Sequence, residues 1–163
     1  MQSLYLIGFM GSGKTTVAVE LAEALQIQVL DTDQLIEEES GKTIPQIFSK
    51  EGEASFRELE MLVLKKTPVT DTVIATGGGI IERGENRDWL KKNGLVIFLE
   101  TSWDEIQKRL IDDVARPLWN NQSTDKKALL DRRVSKYKEV SDIIVQTDGK
   151  NPTTIVKEIL SQM

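Results

Sequence analysis

Cysteine and histidine are both missing from the 163 residues, and the two absences remove a large part of enzyme chemistry. Without thiols there is no disulfide framework and no thiolate nucleophile, and without imidazoles there is no histidine base and no ordinary zinc site. Long hydrophobic runs are missing too. None approaches the roughly 20 apolar residues needed to cross a bilayer, and the opening "MQSLYLIGFMGSGK" lacks the basic start and small-residue cleavage site of a secretory signal. The expectation is a cytoplasmic protein with no membrane partner. Positive charge is in the minority, 21 Lys and Arg against 26 Asp and Glu for a net charge of -5, so no broad basic face for nucleic acid is expected. Carboxylates, lysines, arginines, hydroxyls or a hard oxygen-bound cation remain to carry any chemistry, with small molecules as the partners.

The chain is 39% hydrophobic and 29% charged, which suits one globular domain over 1–163 with a single core. Short apolar runs alternate with segments of helical period. "LYLIGF" (Leu4 to Phe9), "IQVLD", "TVIAT" (Thr72 to Thr76), "LVIFLE" (Leu95 to Glu100) and "DIIVQT" (Asp142 to Thr147) read as buried parallel strands. Between them, Val17, Ala18, Leu21, Ala22 and Leu25 form a core-facing helical stripe. Further helices are expected around Asn86 to Lys92, from Trp103 to about Ile111, through Leu129 to Tyr137, and over Thr153 to Ser161. The acidic cluster Glu37 to Glu39 reads as a solvated helix face. From Ser40 to Pro68, Gly41, Pro45 and Gly52 punctuate short helical pieces that precede a longer helix over Phe56 to Lys66, and this reads as an insertion between strands. Five buried strands with helices between them imply an α/β fold, an open parallel sheet covered on both faces.

"GFMGSGKT", Gly8 to Thr15, fits the phosphate-loop pattern G-x-x-x-x-G-K-[ST] in full and lies between the first strand and the first helix. Its glycines let backbone N–H groups turn toward nucleotide phosphates, and the helix N-terminus adds its positive dipole end. Lys14 should reach the β- and γ-phosphates, and Thr15 should offer its hydroxyl to Mg²⁺.

In an open parallel sheet, ligands gather beyond the carboxyl ends of the strands. "LDTDQL" places Asp31 and Asp33 at such an end, pointing the same way if the strand runs on through them. Carboxylates beside a triphosphate need something positive between, so a metal and a hydroxylated acceptor are the natural occupants; the other reading has Asp33 capping a helix that starts near Gln34. "TGGG", Thr76 to Gly79, frees backbone N–H groups to approach a ligand with no Cβ in the way. In "FRELE", Arg57 and Glu60 stand three apart, which a surface ion pair would also explain. In "ARPLW", Pro117 holds Arg116 extended within a polar stretch that suits either a closing cover or an ordinary exposed loop. Arg132 and Arg133 are adjacent on a helix and cannot both face one site.

The ordered set "GFMGSGKTT", "DTD", "FRELE", "TGGG" followed by "ENR", "RPL" and "RRVSKY" resembles the shikimate kinases over essentially the whole chain. The resemblance implies ATP-dependent phosphorylation of the 3-hydroxyl of shikimate in the pathway to chorismate and the aromatic amino acids. It also implies a three-layer P-loop NTPase fold with strand order 2-3-1-4-5, a shikimate-binding insertion over about 32–66 and a lid over about 112–124. Carried over by position, Gly11, Ser12, Gly13, Lys14, Thr15 and Thr16 form the nucleotide loop, Thr15 and Asp31 serve Mg²⁺, and Asp33 binds the shikimate hydroxyls and is the candidate proton acceptor. Arg57 and Arg133 match the pair that grips the shikimate carboxylate, Gly77, Gly78 and Gly79 the backbone donors, Glu60 the acid that orients Arg57, and Phe48 and Phe56 the apolar wall. Arg116 matches the lid arginine that meets ATP, while Arg109 and the loop with Lys150, Asn151 and Pro152 match the adenine surround. Trp119 makes the lid bulkier than the usual pattern, and Lys150 stands where an arginine can occur. A monomer is expected.

Overall fold

The computed structural model describes residues 1–110 and 125–163. Five strands, β1 (Ser3–Ile7), β2 (Gln28–Asp31), β3 (Thr72–Ala75), β4 (Gly94–Glu100) and β5 (Ile143–Gln146), form one sheet in the order β2-β3-β1-β4-β5. Every pairing is parallel. The described helices are α1 (Lys14–Leu25), α2 (Thr32–Ser40), α3 (Ile44–Lys66), α4 (Gly84–Asn93), α5 (Trp103–Leu110), α6 (Lys126–Val140) and α7 (Pro152–Gln162). The sheet order is the one the resemblance implies.

Side-chain alternation along the central strands divides the interior into two cores, one on each face of the sheet. From β1, Tyr5 and Ile7 join Ile74, Val96 and Phe98 under α4 and α6, where Leu90, Leu129, Leu130 and Tyr137 meet them. The intervening Leu4 and Leu6 join Val73, Ala75, Ile97 and Leu99 on the opposite face, against Val17, Ala18 and Leu21 of α1 and Ile155, Val156 and Ile159 of α7. This is why β1 reads as an unbroken apolar run: all five of its residues are buried, and both faces are covered. A smaller cluster of Ile36, Ile47, Phe56 and Val63 binds α2 to α3 away from the sheet.

The stretch that follows β2 departs from a simple strand continuation. β2 stops at Asp31, whose side chain accepts hydrogen bonds from the N–H groups of Asp33 and Gln34 and so caps α2. Asp31 and Asp33 are therefore related by a helix start, not by strand alternation, and the cap is Asp31 where Asp33 was the candidate. In α3, a capping box of Thr43 and Gln46 opens the helix, and Gly52 breaks it with φ 86 and ψ 170. Only glycine adopts that conformation readily, and no atom lies within 4 Å of where its Cβ would be, so Gly52 is there for the bend. The acidic face of α2 is only partly solvated: Glu37 accepts from the N–H of Ile44 at 2.9 Å and so ties α2 to the start of α3. Among the described residues no helix is long and apolar enough to cross a membrane.

At the start of β4, a Cβ on Gly94 would lie 2.5 Å from the Tyr5 ring and 2.7 Å from the Ser3 carbonyl oxygen. Neither neighbour can move without disturbing the central strand. Gly94→Ala is expected to destabilise the fold by about 1–3 kcal/mol through overpacking, read as a lower urea midpoint at unchanged slope.

Candidate active site

Residues from the carboxyl ends of β1, β2 and β3 and from α1, α3, α5, α6 and α7 line one cleft of about 830 Å³. Its floor on one side is the phosphate loop. Gly11 and Gly13 take left-handed conformations (φ 84 and 91), which turn the loop tightly enough for α1 to start at Lys14 with no side chain capping it. The first amides of α1 are thereby left for an anion. The Lys14 ammonium folds over the loop and donates to the carbonyls of Gly8 at 2.7 Å and Phe9 at 3.0 Å. Arg109 approaches from α5, donating through Nη1 to the Gly11 carbonyl at 3.0 Å while its Nε holds Glu105.

Next to the loop, the Thr15 hydroxyl donates to Asp31 Oδ2 at 3.1 Å. The other carboxylate oxygen of Asp31 is the one engaged in capping, so the cap orients a hard oxygen toward Thr15. Among the described residues no group of three or more acidic side chains could hold an ion unaided. The Thr15–Asp31 pair suits a cation completed by phosphate oxygens and water.

The far side of the cleft is built on a buried ion pair. Arg57 Nη1 donates to Glu60 Oε1 at 2.9 Å, with Glu60 wholly buried and Arg57 8% exposed. The surface-pair reading of "FRELE" is thus corrected: the helix turns this pair inward. Burial raises the Glu60 carboxyl above the ordinary range, the Arg57 charge pulls it back down, and the Asp33 charge pushes it up again. For Arg57, burial works against the charge, but Glu60 and then Glu53 outweigh it and hold the guanidinium more firmly protonated. Phe56 lies beneath that guanidinium, 5.1 Å from ring centroid to Cζ, and its ring packs on Phe48 at 4.8 Å.

The "GGG" triplet is required because these groups come so close to the backbone. A Cβ on Gly79 would sit 2.3 Å from Arg57 Nη1, and one on Gly77 would sit 2.9 Å from Asp33 Oδ1 and 3.0 Å from Glu60 Oε2. Asp33 and Glu60 therefore converge on one peptide. Arg133, 1% exposed, reaches the same loop from α6, with Nη1 3.6 Å from the point where a Gly78 Cβ would be. Its neighbour Arg132 faces solvent, as two consecutive helical residues must diverge.

Several expected residues thus come together: the phosphate loop with Thr16, Asp31, Asp33, Phe48, Phe56, Arg57, Glu60, Gly77, Gly78, Gly79, Arg109 and Arg133 all line the cleft. Lys150 and Pro152 line it too, with Lys150 paired to Glu158 at 2.9 Å. The Asn151 side chain caps α7 through the N–H of Thr154. Arg116, Trp119 and the lid of about 112–124 lie outside the described residues. Sequence reading missed Thr32, whose hydroxyl accepts from the Gly77 N–H at 3.2 Å, and Tyr137, whose hydroxyl donates to the Gly78 carbonyl at 2.5 Å. Burial pushes the Tyr137 phenol well above its usual range, so it stays a neutral donor. Its position one helical turn after Arg133 was the available signal.

The family model for shikimate kinase matches residues 10–163. A shikimate kinase of Bacillus cereus (strain G9842) is 44% identical over 161 residues, covering 98% of this chain and 96% of that protein. Among solved structures, shikimate kinase from Acinetobacter baumannii in complex with shikimate superposes with a TM-score of 0.94 at 38% identity, covering 99% of this chain and 92% of that one. Shikimate kinase from Aquifex aeolicus gives 0.86, also at 38% identity, over 98% and 95% of the two chains. With a phosphate loop, a paired-arginine pocket and a glycine triplet meeting in one cleft, and full-length similarity of this order, the chain belongs to the shikimate kinase family.

Proposed function

We propose that this chain transfers the γ-phosphoryl group of ATP to the 3-hydroxyl of shikimate, releasing shikimate 3-phosphate and ADP, on the route to chorismate and the aromatic amino acids. The observation that carries the reading is the convergence, in one cleft, of the phosphate loop with two buried arginines, Arg57 and Arg133, beside an aspartate and an aromatic wall. Buried guanidiniums facing a cleft call for an anion, and the planar fork of arginine matches a carboxylate. The ring of a cyclic hydroxy acid then lies against Phe48 and Phe56, with its hydroxyls toward Asp33.

The division of labour follows from charge. Phosphoryl transfer to an alcohol passes through a loose transition state, so alignment and neutralisation matter more than a strong base. Lys14 and the amides at the start of α1 take the phosphates, Arg109 and the loop of Lys150, Asn151 and Pro152 flank the nucleotide base, and Arg57, Arg133 and the Gly78 and Gly79 amides pin the acceptor, the Gly77 amide being held by Thr32. Asp33 orients the attacking hydroxyl and receives its proton. Thr15 and Asp31 would hold Mg²⁺, which when bound neutralises charge on the β- and γ-phosphates. Arg116 is assigned to the phosphates on the resemblance. In this reading α2 and α3, over about 32–66, form the acceptor-binding part of one domain, residues 112–124 its lid, and the functional unit is a monomer.

ADP release coupled to a spectroscopic reporter should occur with shikimate and not with gluconate or AMP as acceptor, and should stop when EDTA removes divalent metal; steady turnover of gluconate, or none of shikimate, would refute the reading. Lys14→Ala and Asp33→Ala should each lower kcat by about 100-fold or more. Arg57→Ala should instead raise the shikimate KM by about 10–100-fold, and an unchanged KM would remove Arg57 from acceptor binding.

A further inference from the structure

Glu82 is used by neither the nucleotide nor the acceptor in the reading above, yet it touches the pocket's deepest cation. It lies three residues beyond the glycine triplet, in the turn before α4. Its Oε2 accepts from Arg133 Nε at 3.2 Å, and its Oε1 accepts from Lys136 Nζ at 3.1 Å. Partial burial works against the Glu82 charge, but Arg133 first and Lys136 after it hold the carboxyl below its ordinary range. Arg133 itself is almost wholly buried, and its Nη1 has no hydrogen-bond partner among the described residues. That nitrogen is the one directed at Gly78.

A guanidinium is planar, so holding Nε at one point sets the plane in which the two terminal nitrogens lie. The face of Phe9 lies on one side of that plane, 5.8 Å from its centroid to Arg133 Cζ, and restricts tilting. Such a contact without a hydrogen bond leaves rotation about the Cδ–Nε bond open; the Glu82 carboxylate closes it. Loss of that acceptor leaves a buried N–H unmatched, and the guanidinium would turn to satisfy it, taking Nη1 away from the glycine loop. Tyr137, one turn further along α6, secures the same loop through the Gly78 carbonyl. α6 is thus joined to the segment 78–82 at two points; the Tyr137 hydroxyl also interacts with the Arg133 side chain, whereas Glu82 is the partner that fixes Nε.

We propose that Glu82 is a positioning residue for acceptor binding: by accepting from Arg133 Nε it aims Arg133 Nη1 at the substrate carboxylate. This rests on the acceptor reading above. The role requires a hydrogen-bond acceptor at Glu82 and gives Lys136 only a bystander's place on the second oxygen.

Steady-state kinetics with shikimate varied at saturating ATP, alongside thermal melts, test it. Glu82→Ala should raise the shikimate KM about tenfold, with kcat and the ATP KM within about twofold of the parent. Glu82→Gln, which keeps an acceptor oxygen, should recover most of the loss, and Lys136→Met should leave the shikimate KM within about twofold. Glu82→Leu fills the same space without an acceptor and answers the question should Glu82→Ala not fold. An unmoved KM in Glu82→Ala or Glu82→Leu overturns the proposal while leaving the kinase reading intact. So does an equal rise in Lys136→Met, which would make the effect one of local charge. A parent enzyme that does not turn over shikimate would sink the acceptor reading and this role with it.

Discussion

The ion pair between Arg57 and Glu60, pressed against the glycine triplet, is the constraint around which the far side of the cleft is arranged. Two charges taken out of water are held at a cost, and in a fold built only for stability an apolar pair would serve as well or better. Here the pair is oriented rather than merely buried: Glu60 takes one terminal nitrogen of Arg57, Glu53 approaches the other at 3.4 Å, and the Phe56 ring lies beneath the plane. The guanidinium is left in one pose, close enough to the backbone at Gly79 that no side chain fits there. Preorganisation of this kind means that little ordering remains to be done when an anion arrives.

The sheet supplies the platform for that arrangement. Because all five strands are parallel, their carboxyl ends lie along one edge, and each contributes the turn that follows it: the phosphate loop after β1, Asp31 and α2 after β2, the glycine triplet after β3. The two cores bury α1 and α7 on one face and α4 and α6 on the other, which keeps that edge open. Asp31 shows how one side chain serves two neighbours there. One of its oxygens ends β2 and starts α2, and the other is thereby directed at Thr15. Similarly, α6 belongs to the core through Leu129, Leu130 and Tyr137, while Arg133 on the same helix belongs to the pocket.

Short-range patterns carried a great deal of this into the linear chain. Five strands, their parallel arrangement, the phosphate loop and the break at Gly52 follow from hydrophobic periodicity and from the few positions that only glycine serves. What periodicity could not supply was direction. The spacing of Arg57 and Glu60 fits a surface pair as well as a buried one, since helical geometry brings i and i+3 together without saying which way they face. The strand "IQVLD" was legible to its end at Asp31, but whether strand or helix followed through Asp33 stayed open, because the start of a helix has no period of its own until its first turn is complete. Glu82 carried no signal at all, its partners being 51 and 54 residues away in the chain.

Taken alone, then, the sequence determined the elements, the sheet's parallel character, the phosphate loop and the residue types available for chemistry, because each of these leaves a local mark in the chain, whether a hydrophobic period, a helical segment between strands or a glycine pattern. Tertiary structure decided which charges are buried, which oxygen of Asp31 caps and which faces Thr15, and how Tyr137 and Glu82 hold the glycine loop and Arg133. Those outcomes depend on segments far apart in sequence meeting at one sheet edge. Distance, burial and orientation do not exist until the chain has closed on itself.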